Sequence, residues 1–135
     1  MFHDVFEKPI RHHGWTHNQN NQKVLTDLER LDLFHMEQYA RLVTKMDNIK
    51  EGDGSLLDSM MFTMGSGLSN AMLHICTDLP TVIAGSAGGL LKTNRHEKHP
   101  KGTPIANLWL SMAHVMGVKT DHIGDSTGPL KGWLA

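Results

Sequence analysis

Two short apolar runs, Met60–Met64 and Thr81–Ala84, constrain this chain more than any other feature. Each is about the length of a strand, and each runs into a glycine, Gly65 and Gly85. Neither alternates between apolar and polar residues. Both therefore read as strands buried on two faces, the pattern of a short, mainly parallel sheet. Between them lies a polar stretch containing Ser66, Ser69, Asn70, His74, Cys76 and Asp78. In α/β proteins, chemistry collects in loops just past the carboxyl ends of strands, so a site is expected in this stretch.

Helices are expected on either side. In residues 21–47, Val24, Leu28, Leu31, His35, Tyr39, Leu42 and Met46 recur every three or four positions and draw one apolar stripe. Asn20 or Asn21 can cap its start, and Glu51-Gly52-Asp53-Gly54 forms the turn that ends it. His35 lies on the stripe and reads either as a core histidine or as one lining a cleft. A second helix is expected over 103–116, with Thr103 as cap, Pro104 at the first position and Gly117 as the stop. Residues 1–19 read as an irregular arm broken by Pro9 and Gly14, with no apolar pattern of their own. Helices flanking short buried strands imply α/β layering in one domain over 1–135. Two or three strands form too small a sheet to cover both helices, so the chain reads as part of a larger sheet.

Composition excludes some partners. The chain has 135 residues and a formal net charge of −1, with charges scattered along it, which argues against a nucleic-acid or anionic-membrane surface. No run approaches the length needed to span a membrane, and the first residues lack the apolar core of a signal peptide. The single cysteine, Cys76, can form no internal disulfide.

Familiar motifs mostly fail. Gly65-Ser66-Gly67-Leu68-Ser69-Asn70 follows a strand as a dinucleotide motif does, but Asn70 replaces the third glycine and Pro80 leaves no room for a full helix. Gly88-Gly89 and Lys92-Thr93 lack the phosphate-loop spacing. His96-Glu97-Lys98-His99 is one residue short of a zinc-protease motif, and Pro100 makes it a loop. His13-Gly14-Trp15-Thr16-His17, preceded by His12, is more suggestive. Imidazoles four positions apart can hold a borderline metal or transfer protons beside an anion.

Taken together, His13-Gly14-Trp15-Thr16-His17-Asn18, Leu33-Phe34-His35-Met36-Glu37-Gln38-Tyr39, Gly52–Asp58, Gly65–Leu68, Asp78–Pro80, Ile83–Gly85, Arg95-His96 and Gly124–Gly128 occur in an order that resembles the HXXSHH-motif proteins. That is a bacterial family of unknown function placed near the alkaline-phosphatase-like and sulfatase-like hydrolases. The match covers nearly the whole chain from Arg11. The resemblance implies a C-terminal portion of a partial three-layer α/β/α domain whose longer relatives are usually exported. Thr16 stands at the signature serine and Asn18 at its last histidine. Asn70 stands where an aspartate is common, and Cys76 where a histidine is expected.

The expected function is the C-terminal segment of a metal-dependent, phosphatase- or sulfatase-like hydrolase-related protein. In that class divalent metals polarise the ester and activate the nucleophile. His13, His17 and His74 are the candidate ligands for zinc, manganese or calcium, or else contacts to an oxyanion. Thr16, Asn18, Asn70, Asp78, Arg95 and His96 are the other candidate site residues, Arg95 as a partner for phosphate or sulfate. This requires the arm to fold back over the 65–78 loop, the competing expectation being an arm that projects freely. The alternative function is a non-catalytic structural or interaction module with a decayed site. The expected partner is the missing N-terminal part of the same domain, or a second copy of the chain.

Overall fold

The computed structural model describes Phe2, Asp4–Lys8 and Ile10–Ala135; Pro9, expected to interrupt the arm, lies outside the described residues. The described chain is mixed α/β. In order it forms α1 (His12–Thr16), α2 (Gln22–Asn48), β1 (Lys50–Glu51), β2 (Gly54–Ser55), a 3-10 turn (Leu56–Ser59), β3 (Phe62–Gly65), β4 (Thr81–Ala84) and α3 (Ala106–Val115).

α2 forms where the periodicity places it. Asn21 caps it by accepting from the Lys23 and Val24 amides. Val24, Leu31 and Tyr39 of the stripe are buried, whereas Leu42 stays 45% exposed. After α2, the chain reverses through the β1–β2 hairpin, with Gly52 at φ 59°. Ser55 and Asp58 then close a reciprocal cap around the 3-10 turn.

The sheet differs from expectation. β3 and β4 are antiparallel, with Phe62 opposite Ala84, Thr63 opposite Ile83, Met64 opposite Val82 and Gly65 opposite Thr81. With β1–β2, the described residues form two antiparallel ribbons of two strands each. Among the described residues neither a mainly parallel sheet nor a three-layer arrangement is present. The reason lies in the connection: a parallel pair needs a crossover, usually a helix, and Ser66–Pro80 folds into turns that lead straight back. The two strands, expected to be buried on both faces, are only partly covered, and that cover arises differently. One face of the ribbon meets α2, where Tyr39 stacks on Phe62 with ring centroids 5.0 Å apart. The other meets α3 in a cluster of Ala87, Leu91, Leu108 and Trp133, with Met61, Ile83, Ile105 and Met112 packed against it.

Two further expectations are corrected. α3 begins at Ala106, not near Thr103, because the Thr103 hydroxyl donates to the Pro100 carbonyl and builds a turn before the helix. The arm contains the short helix α1 and is fastened to α2. Arg30 lies 5.1 Å from the Phe6 ring centroid and donates to the Val5 carbonyl at 2.9 Å. Phe6 meets Trp15 edge-on, and Ile10 is buried. His35 packs its ring edge-on against Phe2 at 5.7 Å.

The C-terminal tail is pinned to α3. Buried Asn107 donates to the Thr127 hydroxyl and accepts from the Thr127 amide, and buried Ser111 accepts from the Leu130 amide. At the other end of the ribbon, Gly85 sits at φ 98°. A Cβ there would meet the Met60 and Leu57 carbonyl oxygens at 2.3 and 2.5 Å, so only glycine lets the ribbon close against the 3-10 turn.

Tyr39 carries a testable consequence. Its hydroxyl donates to the Phe62 carbonyl at 2.7 Å. Burial raises the phenol's pKa above its ordinary value of 10.0, partly offset by the Ala84 backbone. The folded chain thus holds this proton more tightly than the unfolded chain. Stability is unaffected below the ordinary value and falls as pH rises beyond it. Tyr39→Phe should cost about 1 kcal/mol near neutrality, through the lost hydrogen bond, and should flatten this alkaline decline. Urea titrations at neutral and alkaline pH measure both.

Candidate functional site

The expected site residues divide into a group that meets and a group that does not. His13 and His17 lie one helical turn apart at the end of α1, with ring centroids 4.7 Å apart at 72°. His17 in turn meets His74 edge-on, with centroids 4.9 Å apart at 74°. The arm therefore folds back onto the loop that follows β3, and three imidazoles adjoin in series.

Local backbone chemistry puts His74 there. The Asn70 side-chain oxygen accepts the Leu73 amide and starts a turn. The Ile75 amide donates to the Asn70 carbonyl, and the Ser69 amide and hydroxyl both donate to the Ile75 carbonyl. The closed loop holds His74 at φ 53°, in the left-handed region that non-glycine residues seldom occupy. Asn70, expected at the site, thus shapes the loop that presents His74. On the opposing side, the Thr16 hydroxyl donates to the His13 carbonyl, and the Asn18 amide donates to the Trp15 carbonyl to close the end of α1.

The rings of His13, His17 and His74 belong to exposed residues, and among the described residues no carboxylate lies within ion-pair distance of them. Among the described residues no group of three or more His, Cys, Asp or Glu side chains is arranged to hold a metal ion. The imidazoles follow one another edge to face, His13 on His17 and His17 on His74. Cys76 is exposed, its sulfur 3.6 Å from the His74 carbonyl. Asp78, two residues on, is exposed at φ 53°.

Arg95 and His96 are engaged elsewhere or face solvent. The Arg95 guanidinium donates to the Gly132 and Trp133 carbonyls at 2.8 and 3.1 Å and pairs with Glu97 at 2.7 Å. It tethers the tail to the 94–102 loop. His96 is exposed in that loop.

A groove of about 510 Å³ that motif reading missed lies where β3 and β4 meet α3, lined by Thr63, Gly65, Ser66, Leu79, Ile105 and Trp109 among others. Its signal in the sequence is faint, a single tryptophan in the second helix, Trp109, which is 38% exposed. Comparison with known proteins finds no matching family model, no matching curated protein and no matching solved structure.

Substitutions at two positions probe these assignments. Asn70→Ala should lose the turn and cost about 1 kcal/mol, whereas Asn70→Asp, which keeps the acceptor, should be tolerated. Nuclear Overhauser contacts between the His17 and His74 rings should vanish in the first variant and persist in the second. Arg95→Lys should cost about 1 kcal/mol, because an ammonium cannot reproduce the two-carbonyl fork. Thermal melting of that variant checks the loss.

Proposed function

We propose that this chain works as one segment of a phosphatase- or sulfatase-like, hydrolase-related protein, and that His13, His17 and His74 are its contacts to the oxyanion of an ester. The observation that supports the reading is the meeting of His17, from α1, with His74, held left-handed by the loop after β3. Distant segments that converge on one exposed patch form a common kind of binding site. Imidazole N–H groups of exposed residues can donate to phosphate or sulfate oxygens, and nearby carboxylates that would repel such an anion are missing from ion-pair range among the described residues.

The same nitrogen donors suit zinc or manganese by chemistry, although the serial arrangement of the rings does not. In this reading the chain's residues bind and orient the anion. Thr16 is bonded to the His13 carbonyl and is not assigned the role of nucleophile.

A second reading, a structural or interaction module, draws support from exposed surface. The chain exposes 9617 Å², whereas a compact monomer of 15.1 kDa exposes about 7,100 Å². Arg95 and Asn70 are also committed to holding the chain together.

The two readings separate in a histidine-resolved NMR titration with inorganic phosphate, sulfate and zinc in turn. The oxyanion reading expects saturable shifts at His13, His17 and His74 with phosphate or sulfate, and none at His96 or His99. His17→Ala should weaken that binding about tenfold, the effect of one hydrogen bond to a charged group. Shifts with zinc alone move the assignment to a metal site. An absence of shifts with all three leaves the interaction module.

A further inference from the structure

We propose that this chain pairs with a second copy of itself by adding strand to strand across the outer edge of β4, around a two-fold axis at Val82. The proposal rests on the open ribbon and stands apart from the oxyanion reading.

The hydrogen-bond pattern fixes which groups face outward. The Ser66 amide donates to the Pro80 carbonyl at 3.2 Å, one step beyond the Gly65–Thr81 pair. In antiparallel pairing, bonded pairs alternate. Positions 64 and 82, and 62 and 84, therefore carry the bonds inside the ribbon, and Thr81 and Ile83 turn their N–H and C=O groups away from β3. Among the described residues, no backbone bond outside the ribbon satisfies these outward groups. Both faces of the ribbon are partly covered, by Tyr39 on one side and by the Leu108 cluster on the other, and among the described residues no further strand pairs with the outer edge of β4. An edge of this kind recruits another strand unless something blocks it. Of the devices that blunt an edge, charge and proline are both absent from Thr81-Val82-Ile83-Ala84.

The edge is also self-complementary. A two-fold axis at Val82 sets Thr81 of each copy opposite Ile83 of the other, so the outward groups of both residues bond reciprocally. The run Thr81-Val82-Ile83 is wholly β-branched, the residue type that packs best on a pleated surface. The outer edge of β3 is the weaker candidate, because its equivalent pairing would involve Gly65. Val82 itself is 44% exposed inside a partly covered ribbon, and its counterpart in the second copy would cover it. The chain exposes about 2,500 Å² more than a compact monomer of its mass, which leaves surface for a second copy to cover.

The axis supplies the test. Sedimentation of the full chain over a rising concentration series should show a dimer, and hydrogen exchange at the Thr81 and Ile83 amides should slow as the dimer fills. Val82→Lys and Val82→Glu each place like charges opposite one another on the axis. Either should weaken pairing about tenfold or more, with circular dichroism unchanged. Mixed in equal amounts, the two variants should regain the dimer, because lysine then faces glutamate. A wild-type monomer at every concentration overturns the proposal. So do open-ended aggregates, or a mixture that pairs no better than either variant alone.

Discussion

The contact between Tyr39 and Phe62 holds the two halves of this chain together. The ring stack and the hydroxyl bond to the Phe62 carbonyl join the middle of α2 to the first residue of β3. A two-stranded ribbon is marginal in water on its own. Here it gains a covered face from α2, and α3 covers the other. The loop after β3 inherits its position from that ribbon, and α1 inherits its position from α2 through Arg30 and Phe6. The meeting of His17 and His74 therefore depends on an interaction lying elsewhere in the chain.

Burial on two faces can arise without a parallel sheet. Met60–Met64 and Thr81–Ala84 do not alternate between apolar and polar because helices pack on both sides of a single hairpin. Periodicity reports how many faces are covered, and it is silent on strand direction. Direction is set by the connection, where Pro80 and the Asn70 turn exclude a crossover helix. The long stripe of α2 was legible because a single helix face repeats without ambiguity, as was its cap at Asn21. Leu42 shows where the pattern exceeds the packing: it belongs to the stripe and remains 45% exposed.

The candidate site was legible in part. The spacing of His13 and His17 makes them neighbours once α1 forms, and His74 sits in the loop where ligands gather in α/β chains. Less legible was the left-handed backbone at His74. It comes from a side chain four residues earlier accepting a main-chain hydrogen bond, and no residue type announces it. Arg95 carried a similar ambiguity. A guanidinium that suits an oxyanion suits a pair of carbonyls equally well, and only tertiary placement decides which it meets.

The tail gives the molecule a kinetic character. Trp133 completes the cluster beneath Leu91 and Leu108, and it is secured by Arg95, 38 positions earlier in the chain. The Ala135 amide reaches the Leu90 carbonyl, and Leu91 bridges Leu134. These contacts cost chain entropy before they return any burial, because a long loop must close first. The α2 helix can form on its own local contacts. The α3 layer must wait for this distant closure, so the two sides of the ribbon are expected to mature at different rates, with the Trp133 side last.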